Sequence, residues 1–225
     1  MPIDTTMITT SIWDEKMIIP KAYLKGYRHH NYYPLTLPGQ WCYSGYLEQL
    51  QAKEIIEILA PTDTFLDIGA GCGAYSVLMK TRCAAIHAFE PAPGIFDILV
   101  KNTSGEGASV TCHNLALMAE EGTVYMGKWG TFEIRPQHIP MYNFEPVGKQ
   151  RIDMLGIESA DIVKIDVEGN ALEVLKGGPN LFRKARAIFI ETHDDSEAKM
   201  ASFFLIMHLG FAVKQLGEQY LIAWK

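Results

Sequence analysis

DIGAGCG, at residues 67–73, places an aspartate two positions before the first of three alternating glycines. The apolar pair Phe65 and Leu66 precedes it and residues 74–78, AYSVL, follow, so the pattern predicts a strand, a tight turn and a helix. A glycine turn at such a junction lets the backbone approach a ligand closely and directs helix N-terminal amides into the same space. We therefore predict a nucleotide site that uses Gly69, Gly71 and Gly73.

Two cofactors fit this turn. Gly69, Gly71 and Ala74 satisfy the looser G-x-G-x-x-G/A dinucleotide pattern, and Glu90 supplies the downstream acid expected on a ribose hydroxyl, which leaves an NAD-dependent oxidoreductase open. Asp67 argues against it, because D-x-G-x-G-x-G resembles motif I of S-adenosylmethionine (SAM)-dependent methyltransferases. The structural alternative is a plain connector between a strand and a helix.

Composition excludes several classes of protein. A chain of 225 residues suits one domain with appendages. With 20 basic and 26 acidic residues, a net charge of -6 and no basic block, we expect no nucleic-acid partner. Four cysteines without a C-x-x-C pair suit a reducing compartment. We see no secretory signal or membrane-spanning run, so we expect a cytoplasmic protein without membrane contact.

The chain divides into two parts. We predict an N-terminal arm and cap helix at residues 1–60, where tyrosines and tryptophans are dense, and a second domain at residues 61–225. Aromatic side chains in such an arm dock it onto the core or onto a second copy of the chain, so a homo-oligomer is one expectation. The alternative is that these rings face a sugar-like acceptor.

Residues 61–225 alternate between short apolar runs and helical patterns, which predicts parallel strands with crossover helices. We interpret residues 123–126 and 131–134 as a hairpin followed by a surface loop to residue 150, and residues 211–215 and 219–224 as a closing antiparallel hairpin. The other predicted strands are 64–68, 84–90, 108–113, 161–166 and 186–192, and the predicted helices are 73–80, 93–102, 170–176 and 195–209.

Four further segments resemble FkbM-like methyltransferases: residues 89–93 (FEPAP), 114–117 (NLAL), 161–177 (DIVKIDVEG running into LEVLKG) and 190–193 (IETH). The resemblance covers residues 46–193 and implies a Rossmann-like class I methyltransferase sheet, mostly parallel with an antiparallel last strand. It also implies methyl transfer to oxygen, most often of a sugar or polyketide hydroxyl. The chain departs from the family at Cys72, at Asn170 and over the first 45 residues.

The motifs assign cofactor-binding roles. Glu90 at the end of the second strand can accept both ribose hydroxyls through its two oxygens. Asp67 is expected to organise the glycine turn and to receive the methionine ammonium, and its structural alternative is bonding to turn amides alone. The resemblance implies that Asn114 and Leu115 hold the adenine, while Asn114 as a plain turn residue is the alternative.

The acceptor hydroxyl must lose a proton, so the reaction needs a base. Asp166 and Glu168 follow one strand and Glu191 and His193 follow the next, and the carboxyl ends of parallel strands share one crevice. We predict His193 as the base, with Asp166 and Glu168 as further catalytic residues. The same four side chains could instead hold Mg²⁺ or Mn²⁺, or merely cap helices and pair with lysines. A non-catalytic domain with this fold is a third interpretation.

Overall fold

The computed structural model describes residues 7–12, 15–20, 46–127, 144–217 and 219–225. Strands β1 (Met7–Ile12) and β2 (Glu15–Pro20) form an antiparallel hairpin, and helix α1 spans Tyr46–Ile58. Nearly all the aromatic residues of the predicted arm lie outside the described residues. The arm's docking role and the domain boundary at residue 60 stay predictions.

Ten strands follow α1 and belong to two sheets. They are β3 (Thr64–Ile68), β4 (Ala85–Phe89), β5 (Ser109–His113), β6 (Ala116–Leu117), β7 (Gly122–Gly127), β8 (Phe144–Gln150), β9 (Ile162–Ile165), β10 (Ala187–Glu191), β11 (Ala212–Leu216) and β12 (Tyr220–Trp224).

The main sheet has seven strands in the order β11-β12-β10-β9-β3-β4-β5. From β10 to β5 all neighbours are parallel, whereas β12 runs antiparallel to both β10 and β11. This confirms the predicted class: a mostly parallel, Rossmann-like sheet with an antiparallel last strand. The carboxyl ends of β3, β4, β9 and β10 meet at one edge, which is where ligands bind in open parallel sheets.

Helices cover both faces of this sheet. Successive residues of each strand point to opposite faces, so each strand contributes side chains to both layers of the core. Phe65 and Phe189 pack on one side with α1 and its neighbours, whereas Leu66 and Ile188 pack on the other. All four side chains are buried, as expected for a sheet covered on both faces. The helices after α1 are α2 (Ala74–Met79), α3 (Pro93–Thr103), α4 (Ala171–Gly177), α5 (Pro179–Phe182) and α6 (Asp195–Phe204), the last continuing as a π-helix at Leu205–Leu209.

One prediction is wrong in this region. The segment expected to be a surface loop contains β8, which pairs antiparallel with β7 and parallel with β6 in a separate small sheet. Pro146 lies within β8, opposite Tyr125. Proline is tolerated there because, among the described residues, β6 pairs only with Lys149 and Gln150 and no strand pairs with the other side of β8 at Pro146. The predicted strand at 131–134 lies outside the described residues.

An ion pair fastens the amino ends of two main-sheet strands. The Arg186 guanidinium, just before β10, donates to both carboxylate oxygens of Asp63, just before β3, over 3.0 and 2.7 Å. Burial alone would raise the pKa of Asp63, but the hydrogen bonds from Arg186 and from the Ala60 amide, together with the Arg186 charge, outweigh burial and lower the pKa. None of the helices in the described part of the chain is long and apolar enough to cross a membrane.

Candidate active site

The glycine turn after β3 packs directly against the end of β9. Gly69, Gly71 and Gly73 have φ angles of 77°, 55° and 91°, a region that glycine enters at little cost. A Cβ on Gly69 would lie 1.7 Å from the backbone oxygen of Asp166. Only glycine therefore allows this approach between the turn and the β9 end.

Asp67 is fully buried, and its carboxylate contacts Ser76 and Lys164 of this chain. Its Oδ2 accepts from the Ser76 backbone amide over 3.0 Å and from the Ser76 hydroxyl over 2.7 Å. Its Oδ1 lies 3.6 Å from Lys164 Nζ. These contacts hold the start of α2 against the end of β3, which is the loop-organising part of the predicted role.

Glu90 closes the turn from the side of β4. Its Oε2 accepts from the Gly71 amide over 3.0 Å and its Oε1 accepts from the Ala92 amide over 2.8 Å. Burial raises the pKa of Glu90 to about 7, although both amide hydrogen bonds act in the opposite direction. A carboxylate offers about four acceptor positions, so Glu90 keeps capacity for further hydrogen bonds beside these two amides.

Asn114 connects the ends of β4 and β5. Its Nδ2 donates to the backbone oxygens of Glu90 and Pro91 over 2.9 and 3.0 Å. Leu115 is partly buried against the core on the α4 side of the sheet. The structure thus places Asn114 beside the predicted ribose-binding residue, whereas Leu115 packs into the core next to it in the chain.

Asp166, Glu168, Glu191 and His193 are the residues predicted to lie on the acceptor side of the site. Three of these four acceptor-side residues come together after β9 and β10. One possible ligand atom from each of Asp166, Glu168 and His193 lies within 4.8 Å of the other two. His193 Nε2 is 3.4 Å from Glu168 Oε2. Burial raises the pKa of Glu168, and the neighbouring His193 acts against this rise. The fourth residue, Glu191, is not part of the group, and burial together with the Asp166 carboxylate raises its pKa to about 8.

Lys164, the lysine of the otherwise apolar strand β9, links the glycine turn to Asp166. Its buried Nζ donates to the Gly69 carbonyl over 3.3 Å and to Asp166 Oδ2 over 3.2 Å. Burial would lower its pKa, but the carboxylates of Asp166, Asp67 and Glu191 outweigh burial and raise it. Pairing with a lysine is the structural alternative expected for Asp166, and Lys164 supplies this pairing at 3.2 Å.

Glu197 is a residue near this group that the motifs did not indicate. It lies in the first turn of α6, is buried, and hydrogen-bonds the backbone near both halves of the acceptor-side group. The pattern Asp194-x-x-Glu197 is a helix-start signal, and it could have drawn attention to this position.

The sheet order, the glycine turn and the carboxylate at the end of β4 define the class I methyltransferase fold. The family model described as the methyltransferase FkbM domain matches residues 67–220, which is more than half of the chain. The chain belongs to this family, as the resemblance implied. The match begins at Asp67, the first residue of the glycine motif.

Individual proteins resemble parts of the chain. Hexuronic acid methyltransferase AglP of Haloferax volcanii is 26% identical over 157 residues, which is 68% of this chain and 65% of that protein. This chain therefore matches just under two thirds of the length of that relative.

Two solved structures share the fold. The crystal structure of methyltransferase FkbM from Methylobacillus flagellatus KT has a TM-score of 0.54 at 14% identity and covers 73% of this chain and 44% of that one. A Streptococcus mutans protein in complex with S-adenosylhomocysteine (SAH) has a TM-score of 0.53 at 11% identity, covering 79% and 97%.

Proposed function

We propose that this protein transfers a methyl group from SAM to a hydroxyl oxygen of a sugar-like or other small-molecule acceptor. The observation that carries the proposal is the Glu168–His193 pair, 3.4 Å apart, at the sheet edge where the glycine turn and Glu90 lie. Family membership favours methyl transfer over the NAD-dependent alternative. The Haloferax relative, named for a hexuronic acid, supports an acidic sugar as the first acceptor to test.

The donor, when bound, supplies a methyl carbon already activated by a sulfonium. The residues of this chain then have two tasks, which are to hold the donor and to accept the hydroxyl proton. Glu90 accepts the ribose hydroxyls, Asp67 fixes the turn, and Asn114 and Leu115 border the adenine. His193 takes the proton from the acceptor hydroxyl, while Glu168 orients the imidazole and Asp166 lies beside the pair.

A divalent cation is a second use of the same three acceptor-side residues. Two carboxylates and one imidazole with ligand atoms within 4.8 Å suit Mg²⁺ or Mn²⁺. Turnover after EDTA treatment, with and without added Mg²⁺ or Mn²⁺, tests this use. Loss of turnover that either ion restores favours the cation, and turnover unaffected by EDTA favours His193 acting alone.

The first experiment is calorimetric binding of SAM and SAH, with NAD as the control ligand and Glu90→Ala as the site variant. Micromolar binding of SAM and SAH that the variant loses supports the proposal. Binding of NAD instead, or no binding, contradicts it. Hexuronic acid glycosides are then screened for SAH release, and the methylated atom is located by NMR.

Replacing His193 tests the base and separates an enzyme from a non-catalytic domain of the same fold. We expect His193→Ala to lower turnover at least about 100-fold, since general-base catalysis typically contributes that much. SAM affinity should be retained. Unchanged turnover in this variant would reject His193 as the base. A cytoplasmic location, the absence of a nucleic-acid partner and self-association through the arm remain predictions.

A further inference from the structure

Glu197 joins two connections that are far apart in the sequence. Its Oε1 accepts from the Ala171 amide over 3.0 Å, at the start of α4. Its Oε2 accepts from the His193 amide over 2.8 Å, in the connection between β10 and α6. The residue is only 5% exposed; its hydrogen bond with the Ala171 amide is buried and the one with the His193 amide is partly buried.

The helix that carries Glu197 does not need this carboxylate for its own start. Asp194 is the N-cap of α6, and its Oδ1 accepts from the Glu197 backbone amide over 2.8 Å. In the usual capping box the third helical residue reaches back to its own N-cap amide. Here the carboxylate instead spans to His193 and to a different helix.

The two connections carry the two halves of the proposed proton-accepting pair. The β9–α4 connection holds Glu168 and the β10–α6 connection holds His193, whose Nε2 lies 3.4 Å from Glu168 Oε2. Glu168 has a φ of 49°, a conformation that non-glycine residues seldom adopt. Strain of this kind persists only where the surroundings hold the backbone in place.

We propose that Glu197 is a positioning residue for methyl transfer. It fixes the β9–α4 connection against the β10–α6 connection and thereby sets the separation between the Glu168 carboxylate and the His193 imidazole. The inference rests on the proposed function, because it assumes that this pair accepts the proton. The clamp, meaning the two hydrogen bonds from the Ala171 and His193 amides to the Glu197 carboxylate, does not depend on that function.

The variant Glu197→Gln keeps the shape of the side chain, but its single amide oxygen can accept only one of the two hydrogen bonds. We expect hydrogen exchange at the Ala171 or His193 amide to become at least about tenfold faster, since one buried hydrogen bond to a charged group is lost. With methyl β-D-glucuronide as the acceptor probe, kcat should fall by a similar factor while the Kd for SAM stays within about twofold.

Glu173→Gln is the matched control. It makes the same chemical change on α4, where the Glu173 carboxylate pairs with the exposed Lys176. Exchange and turnover of this variant should equal those of the unmodified protein.

Unchanged exchange at both amides in Glu197→Gln would overturn the clamp, and this measurement needs no acceptor. A Kd for SAM that rises in step with the loss of turnover would show a structural role rather than positioning. If His193→Ala is inactive and Glu197→Gln turns over normally, only the positioning role fails. If His193→Ala turns over normally, the proposed base fails and the positioning role fails with it.

Discussion

Glu90 shows what one carboxylate contributes at the residue scale. Its two oxygens each accept a hydrogen bond from one backbone amide, of Gly71 and of Ala92, and keep capacity for the ribose hydroxyls that the proposed function assigns to Glu90. Above about pH 7, where Glu90 is ionised, Glu90→Gln removes the charge and turns an amide group toward one of these donors. We expect SAM to bind roughly 100-fold more weakly, since two hydrogen bonds to a charged group are affected. Calorimetry measures the change.

Asp97→Asn is the matched control for this prediction, because Asp97 is exposed on α3, the helix that follows Glu90. Equal SAM affinity for Glu90→Gln and Asp97→Asn would remove Glu90 from the cofactor site. The motif alone indicated Glu90, since its type and spacing suffice. It did not indicate Glu197, because a hydrogen bond to the backbone of another segment leaves no periodic mark in the sequence.

At the scale of elements, the glycine turn and the end of β9 form one packed unit. We expect Gly69→Ala to lower the free energy of unfolding by several kcal/mol and to weaken SAM binding, because its Cβ would overlap the Asp166 carbonyl. Gly156→Ala is the control, since Gly156 also has a positive φ, 69°, but nothing lies within 4 Å of its Cβ. It should cost about 1 kcal/mol. Denaturant unfolding and calorimetry compare the two, and equal losses would contradict the packing argument.

Parallel strands and crossover helices were predictable because each buries a local apolar pattern. Strand β3 was predicted at 64–68 and lies at Thr64–Ile68. Strand β8 was not, because its identity depends on pairing with β7, about 20 residues earlier, while Pro146 locally favours a loop. Likewise, local patterns placed Asp166, Glu168 and His193 at one edge, but only the fold shows that these three form a close group to which Glu191 does not belong.

For the whole molecule, buried carboxyl groups set the pH dependence of stability. The pKa of Glu90 rises from 4.5 to about 7 on folding, so the folded state holds a proton that the unfolded state has lost. The free energy of unfolding should therefore fall as the pH rises between these values, by on the order of 3 kcal/mol for Glu90. Glu191, with a pKa of about 8, extends the decline to higher pH. Asp63, whose pKa is lowered, adds stability that is lost in stronger acid.

Denaturant unfolding of the ligand-free protein at pH 5.5 and pH 8.5 tests this dependence. Glu191→Gln should flatten the decline, whereas Glu173→Gln, at an exposed position, should leave it unchanged. A protein that is equally stable or more stable at pH 8.5 would contradict the assignment of these buried carboxyls.

The position of β12 also bears on how the chain folds as it is synthesised. It follows β11 in sequence but lies inside the sheet, between β11 and β10. Until β12 has left the ribosome, β10 presents an unpaired edge lined by the apolar residues Ile188 and Ile190. Such an edge is a template for unwanted strand pairing. A nascent chain that already contains the complete glycine turn therefore still exposes the β10 edge to unwanted pairing until β12 emerges.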